Sequence, residues 1–267
     1  MKLKQAMEVA KVASRNMILG GNLVSLSLAR HPKNMIDYAT ANLFLYKALN
    51  SKRGIPQKNV FEILPSSDVE SIKLGDLTSG GGWFLREASY TADIINLCLI
   101  CQILRPRVVF EIGTLEGYTA FHFALNTPDE AKVYTLDLPR NENIQTSLYT
   151  TVIDDLHVKW HSKAERYCFG NSDVASKITC LFGDSATFDF SPYYGKVDFF
   201  FIDGAHSYEY ARSDTLNALD CCHSGSVIVW HDFGRAGNGV SKCILELSKM
   251  QEIYSAPGGS LAFMIVK

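Results

Sequence analysis

The chain has 267 residues, of which 47% are hydrophobic and 20% are charged. These values predict one α/β domain with an elaborated end, or one domain with a small helical cap. The 26 basic and 28 acidic residues give a formal net charge of −2. Because basic residues are not in excess, a nucleic-acid partner is not expected. Seven scattered cysteines favour a reducing compartment over a disulfide framework. No apolar stretch is long enough to predict a membrane span, and a cytoplasmic protein is expected.

The first 80 residues are predicted to be a helical extension or cap on a main domain that spans residues 81–267. Apolar residues recur at helical spacing up to residue 50. They predict helices that pack on the main domain, on another subunit of a homo-oligomer, or over the substrate. A triple glycine, Gly80–Gly82, precedes Trp83. It is either a mobile hinge that closes over a ligand or a linker into a helix predicted from about Arg86 to Leu104.

A strand, a glycine turn and a helix follow one another in the middle of the chain. The β-branched, apolar run Val108–Ile112 predicts a strand buried on both faces. Gly113 and Gly117 bracket the turn, and the segment Tyr118–Leu125 has helical periodicity. This unit opens nucleotide-binding α/β folds, but a dinucleotide fingerprint has a third glycine. Glu111, just before the turn, would repel a pyrophosphate and suits a cationic or hydroxyl-rich ligand.

Six further apolar runs complete the prediction of a Rossmann-like α/β fold. The sheet is expected to have seven strands and to be mostly parallel, with an antiparallel last strand closed by a hairpin. Residues 139–176 form a long connection that is predicted to place one or two helices over the site. The six runs are residues 132–137, 177–182, 197–203, 226–230, 252–255 and 261–266.

Acidic residues and histidines end or follow most of the predicted parallel strands. A single acid in such a place is usually a helix N-cap. Because the carboxyl ends of parallel strands share one edge of a sheet, acids at five junctions predict a binding site there. The residues concerned are Glu111, Asp137, Asp184, Asp203, His206, His231 and Asp232.

Two groups of motifs resemble known methyltransferases. The acid and Gly-x-x-x-Gly turn at Glu111–Gly117 resemble the first motif of Rossmann-like methyltransferases that use S-adenosylmethionine (SAM). The strings Phe201–Tyr208 and Val229–Asp232 are more specific. They resemble the family that includes the macrolide and aminocoumarin sugar O-methyltransferases and their cephalosporin-biosynthesis relatives. Gly82–Phe84 and Gly183–Ser185 also resemble this family, and the resemblance covers about residues 80–267.

The resemblance implies a SAM site at the predicted edge. The turn after the first strand would hold the methionine and ribose side, and Asp137 would accept hydrogen bonds from the ribose hydroxyls. Asp184 and Ser185 would face the adenine. The implied cofactor-binding residues are Glu111, Gly113, Thr114, Gly117, Asp137, Leu138, Asp184, Ser185 and Asp203.

The resemblance also implies a divalent metal, usually Mg²⁺, at Asp203 and Asp232. Several metal-dependent relatives carry a second acid where this chain has His231, which would either ligate the metal or support Asp232. Because Mg²⁺ prefers oxygen ligands, His231 leaves room for a softer metal or for none. His206 matches a candidate general base that would act beside Asp203, and the alternative is a helix-start residue bonded to the backbone.

The sequence thus predicts a SAM-dependent O-methyltransferase for a hydroxyl on a small molecule, a sugar or a glycosylated metabolite. Two alternatives remain open. An NAD(P)-binding oxidoreductase would share the fold, although the missing third glycine and Glu111 argue against it. A catalytically silent SAM-binding module would share the cofactor, although the presence of both Asp203 and Asp232 argues against it.

Overall fold

A seven-stranded sheet forms the centre of the computed structural model, which describes residues 54–64, 69–75, 88–139, 145–161, 167–235 and 239–267. The order across the sheet is β3-β2-β1-β4-β5-β7-β6. Strands β1 to β5 are parallel, and β7 runs antiparallel to both β5 and β6. The predicted Rossmann-like fold is therefore confirmed. The strands are β1 (Val108–Ile112), β2 (Lys132–Asp137), β3 (Ile178–Phe182), β4 (Val197–Ile202), β5 (Cys222–Trp230), β6 (Tyr254–Ser255) and β7 (Ala262–Ile265).

Helices cover both faces of this sheet. Side chains alternate along β4, so that Phe199 and Phe201 enter one core and Phe200 enters the other. Helices α2 and α3 pack in the first core, and α5 and α6 pack in the second. Burial on both faces explains why the β4 sequence is a nearly continuous apolar run. The described helices are α1 (Val60–Ile63), α2 (Ala88–Leu104), α3 (Tyr118–Asn126), α4 (Val152–His161), α5 (Tyr208–Cys221) and α6 (Val240–Leu247).

The observed elements differ from the predicted ones mainly at their ends. Strand β5 begins at Cys222, four residues before the predicted start, because Cys222 pairs with Val197 of β4. The register shifts after that pair, and Gly225 has a φ of 90°. Helix α6 ends at Leu247, and the side chain of Met250 just beyond it is exposed.

Residues 69–75 lie along α3 and are held through their main chain. The Asn126 carboxamide, which is buried, accepts from the Lys73 amide and donates to the Lys73 carbonyl, both at 2.8 Å. The Gly75 amide donates to Nε2 of His122 at 3.2 Å. Since Nδ1 of His122 lies 2.8 Å from the Tyr118 carbonyl and donates to it, Nε2 is the acceptor nitrogen. Burial lowers the pKa of His122 and favours this neutral form.

Several predictions fall wholly or partly on residues outside the described ranges. These are the N-terminal helices up to residue 50, their role in oligomers, and the hinge at Gly80–Gly82. Before α2, the residues that the structure describes contain the short helix α1. Among the residues that the structure describes, no helix is both long and apolar enough to cross a membrane. The boundary near residue 80 stays a prediction.

Candidate active site

A cleft opens at the edge of the sheet where the parallel strands end. It encloses about 1270 Å³ of space, including the part that opens to solvent. Most of the predicted site residues line it, as the parallel topology requires. Glu111, Gly117 and His231 are not among the lining residues. The predicted residues that line the cleft are Gly113, Thr114, Asp137, Leu138, Asp184, Ser185, Asp203, His206 and Asp232.

Glu111 lies beneath the cleft and is fully buried. The Thr135 hydroxyl donates to its carboxylate at 2.5 Å, and the Thr135 and Thr114 hydroxyls are 2.6 Å apart. Burial raises the pKa of Glu111 well above its usual range, and the Thr135 hydrogen bond offsets only part of this effect. In this geometry Glu111 supports the turn that carries Thr114, so its predicted contact with SAM would be indirect.

At both glycine positions of the turn, a side chain would clash with neighbouring parts of the protein. Gly113 has a φ of +101°, and a Cβ atom there would lie 2.0 Å from the Asp203 carbonyl oxygen. Gly117 has a φ of +78°, and a Cβ atom there would lie 2.3 Å from the Phe169 ring. The sequence predicted that these glycines admit a ligand. Both glycines also pack closely against other parts of the protein. Gly113 lines the cleft, and the contact of Gly117 with SAM stays a prediction.

Asp137, at the end of β2, projects into the cleft between two backbone amides. Its Oδ2 accepts from the Leu115 amide and its Oδ1 from the Leu138 amide, both at 2.7 Å. Leu115 has a φ of +47°, an uncommon conformation for a residue with a side chain. The turn after β1 is thus attached to the acid that ends the neighbouring strand. These hydrogen bonds fix the position of the Asp137 carboxylate, which is predicted to bind the ribose hydroxyls.

Asp184, just after β3, is also fixed by hydrogen bonds. The Ala186 and Ser147 amides donate to it at 2.9 and 2.7 Å, and the Tyr210 hydroxyl donates at 2.8 Å. Burial opposes ionisation, but these hydrogen bonds outweigh it and lower the pKa of Asp184. The carboxylate therefore stays charged at the predicted adenine side. Tyr210, which also lines the cleft, was not predicted.

The three predicted metal ligands lie together at the ends of β4 and β5. The potential ligand atoms of Asp203, His231 and Asp232 all fall within 4.8 Å of one another. Nδ1 of His231 lies 2.9 Å from Asp203 and 3.3 Å from Asp232, yet neither contact has hydrogen-bond geometry. Asp232 has a φ of +61°, and such strained conformations concentrate at functional sites. This donor set fits a divalent cation.

Positive groups of the protein surround these carboxylates. Burial opposes the charge on His231, but Asp203 and Asp232 raise its pKa well above the usual range. Burial likewise opposes the charge on Asp232, whose pKa His231 and His206 hold well below the usual range. Nε of Arg235 lies 2.7 Å from Asp232. A bound cation would therefore have to compete with these groups for the Asp232 oxygens.

His206 bridges the metal-ligand cluster and α4. Its Nδ1 lies 2.5 Å from Asp154 and its Nε2 lies 2.6 Å from Asp232. Burial lowers its pKa, but the hydrogen bonds to Asp154 and Asp232 dominate and raise the pKa to about 10. With both ring nitrogens paired and the ring protonated at neutral pH, His206 can act as the predicted base only if one contact opens. The base role stays a prediction.

Asp154 belongs to the long connection before β3 and was not predicted as a site residue. It stands three residues after Thr151 at the start of α4. Its Oδ2 accepts from the Thr151 amide at 2.6 Å, and the Thr151 hydroxyl accepts from the Asp154 amide at 3.3 Å. This reciprocal pattern is a capping box, a signal that the sequence does carry. Oδ1 remains for the amide and ring of His206.

Tyr90, on α2, is a further cleft residue that sequence reasoning missed. Its ring centroid lies 5.1 Å from that of His231, and the Arg235 guanidinium lies 5.0 Å above the ring. Burial raises the pKa of Tyr90 to about 12. The available signal was a polar residue in a mostly apolar helix, which cannot reveal the direction that the helix faces.

The sheet order and the acids at the ends of β2, β3 and β4 define a Rossmann-like α/β protein with a ligand-sized cleft at the carboxyl ends of its parallel strands. Residues 110–233 match the family model described as a methyltransferase domain. The matched part contains most of β1, all of β2 to β5 and most of the cleft. This match confirms the predicted likeness to methyltransferases for residues 110–233. No curated protein matches the chain in sequence.

Several solved structures are similar to this chain. The O-methyltransferase TomG from Streptomyces achromogenes, in complex with SAM, is 15% identical over 68% of this chain and 82% of that one, with a TM-score of 0.46. A Bacillus cereus O-methyltransferase is 15% identical over 72% and 94%, with a TM-score of 0.43. The methyltransferase PaMTH1 from Podospora anserina is 15% identical over 70% and 85%, with a TM-score of 0.47. These values are too low to bear on the acceptor.

Proposed function

We propose that this chain is a SAM-dependent O-methyltransferase that acts on a hydroxyl of a small polar molecule, a sugar or a glycosylated metabolite. One observation carries the proposal: a single cleft joins two different sets of groups. Asp137 and Asp184 suit the nucleoside of the donor. Asp203, Asp232 and His206 suit an acceptor hydroxyl. Methyl transfer requires donor and acceptor to be held in line, which one shared cleft permits.

The charge of the cleft supports SAM over a nicotinamide dinucleotide. Among the described residues, the lining contains six carboxylates and neither lysine nor arginine. Such a surface attracts the sulfonium cation of SAM and repels a pyrophosphate. The carboxylates are Glu116, Asp137, Asp154, Asp184, Asp203 and Asp232.

Replacing Asp137 with alanine is expected to weaken SAM binding by about 1.5–3 kcal/mol, or about 10–150-fold. The variant loses a charged acceptor whose position the Leu115 and Leu138 amides fix. Isothermal titration with SAM measures the effect, and titration with NADH is run in parallel. Asp129→Ala, which removes an exposed acid on the loop after α3, is the control.

An unchanged SAM affinity in Asp137→Ala would reject this assignment of the nucleoside half. Binding of NADH in place of SAM would support the oxidoreductase. Tight SAM binding without methyl transfer to any member of a library of hydroxylated compounds would support the silent module. Transfer to a hydroxylated member establishes the O-methyltransferase and identifies the acceptor class.

The proposal includes a divalent cation held by Asp203, His231 and Asp232. When bound, the ion would supply positive charge that lowers the pKa of an acceptor hydroxyl. The protein residues would orient that hydroxyl and exclude water. Because His231 offers a nitrogen, the set also suits ions softer than Mg²⁺, such as Mn²⁺ or Zn²⁺.

Removal of the cation is expected to stop turnover. The protein is treated exhaustively with a chelator, and Mg²⁺, Mn²⁺ or Zn²⁺ is then restored singly. We expect the wild type to regain activity with at least one ion, and Asp203→Asn to fail because it lacks one charged ligand. Full turnover of the chelated wild type, together with an active Asp203→Asn, would exclude a metal requirement.

A further inference from the structure

A buried carboxylate on α2 contacts the metal-ligand cluster from behind. Asp93 is 1% exposed and accepts from both the amide and the hydroxyl of Ser260 at 3.0 Å. The Ser260 hydroxyl lies 3.2 Å from Nε2 of His231, and Asp93 lies 3.4 Å from the same nitrogen. Three distant parts of the chain thus meet at the ring nitrogen of His231 that points away from Asp203 and Asp232.

The turn between β6 and β7 brings its backbone close to the Asp93 carboxylate. A Cβ atom on Gly259 would lie 1.7 Å from Oδ1 of Asp93, so a residue with a side chain at this position could not coexist with the present contact. Glycine therefore lets the backbone of the turn reach the carboxylate. Asp93 lies on a helix and is not one of the strand-end acids that the family resemblance implied as site residues.

The hydrogen bonds fix the position of one proton on His231. Ser260 has a single hydroxyl hydrogen, which it donates to Asp93. Towards His231 the Ser260 oxygen can then only accept, so Nε2 of His231 must carry a hydrogen. The other nitrogen, Nδ1, faces Asp203 and Asp232, where a cation that displaces its hydrogen can bind it.

We propose that Asp93, acting through Ser260, is a positioning residue that holds His231 in the tautomer whose Nδ1 can ligate a metal. This inference rests on the proposed metal site and adds residues that lie outside the cleft lining. A carboxylate behind a metal-bound histidine fixes the ring and raises its basicity, and loss of such a partner typically weakens metal binding 10–100-fold.

The test compares Asp93→Asn with Ser260→Ala, using Mn²⁺ as the probe and electron paramagnetic resonance to count the bound ion. An asparagine amide can donate to the Ser260 oxygen and turn its hydroxyl hydrogen towards Nε2 of His231. That arrangement favours a hydrogen on Nδ1, the wrong tautomer for a ligand. We expect Asp93→Asn to weaken Mn²⁺ binding by about 10–100-fold. Ser260→Ala removes the hydroxyl that connects Asp93 to His231 but does not impose the wrong tautomer. We therefore expect Ser260→Ala to weaken Mn²⁺ binding less than Asp93→Asn does.

SAM affinity and the thermal unfolding midpoint are measured on the same variants. Weaker Mn²⁺ binding in Asp93→Asn than in Ser260→Ala, with SAM affinity unchanged in both, supports the inference. Wild-type Mn²⁺ affinity in Asp93→Asn overturns it, and the metal site then still stands if Asp203→Asn binds weakly. The inference is also overturned if the losses of Mn²⁺ affinity track the decreases in unfolding midpoint and do not follow the expected order of the two variants. If the wild type itself binds no Mn²⁺, the metal proposal fails first. Should Asp93→Asn not fold, wild-type affinity in Ser260→Ala overturns the inference.

Discussion

Replacing His206 with alanine is expected to slow methyl transfer by about 10²–10⁴-fold, the range of a lost general base. The side chain lines the cleft and joins Asp154 of α4 to Asp232 of the metal-ligand cluster. SAM affinity is expected to stay nearly unchanged, because the contacts of His206 are with these two acids and not with Asp137 or Asp184. Steady-state kinetics and SAM titration of the variant measure both effects.

His157→Ala is the matched control for this prediction. His157 also lines the cleft, and its ring centroid lies 5.7 Å from that of His206. Added imidazole separates two roles of His206. Restored turnover in His206→Ala would support the base, whereas loss without rescue would leave His206 as the group that positions Asp154 and Asp232. Wild-type turnover in His206→Ala would contradict both roles, and an equal loss of SAM binding would place the residue on the donor side.

Replacing Asp214 with asparagine is expected to stabilise the protein above neutral pH by up to roughly 4 kcal/mol. Asp214 lies on α5, is fully buried, and neither carboxylate oxygen has a hydrogen-bond partner among the described residues. Burial raises its pKa from the ordinary 3.8 to about 7, although the nearby Ser185 hydroxyl offsets part of the effect. Ionising this group in place therefore opposes folding.

The sign of the pH dependence follows from the raised pKa. Between about pH 4 and 7 the folded chain keeps the Asp214 proton while the unfolded chain releases it. The Asp214 contribution to the free energy of unfolding therefore falls with rising pH across this window and is constant above it. Asparagine has no proton to lose, so the advantage of the variant grows from pH 4 to 7 and then levels off.

Urea unfolding of both proteins at pH 5, 6, 7 and 8 measures this difference. Asp220→Asn is the control, because Asp220 is an exposed acid near the end of the same helix. Subtracting the wild-type curve removes the titration of all other groups. Curves for Asp214→Asn and wild type that run parallel over this range would show that Asp214 does not titrate in the folded protein near neutrality.

Local sequence signals were sufficient to predict the sheet. Strands β1 and β4 are apolar runs because both of their faces are buried, and such runs are visible without tertiary information. The early start of β5 was missed because its first half is largely exposed and reads as polar, with Gly225 inside it. Pairing with β4, and not composition, extends the strand there.

The sequence predicted the site residues that lie at the strand ends but not those that lie on helices. Acids at strand ends could be assigned to one edge because parallel strands must end together. Asp154, Asp93 and Tyr90 come from helices, whose rotation about their own axes depends on packing across the whole domain. The packing of Gly117 against Phe169 could not be predicted for a related reason: Phe169 is 52 residues away in the sequence.

The hydrogen bonds that attach Lys73 and Gly75 to α3 depend little on which amino acids occupy positions 73 and 74. Asn126 and His122 form their hydrogen bonds to this segment with main-chain atoms of Lys73 and Gly75, and the Lys73 and Leu74 side chains are exposed. Gly75 is an exception, because a Cβ atom there would lie 2.2 Å from the Phe121 ring. Mutations at positions 73 and 74 can therefore accumulate during evolution, or be introduced in a library, while the segment stays fastened in place.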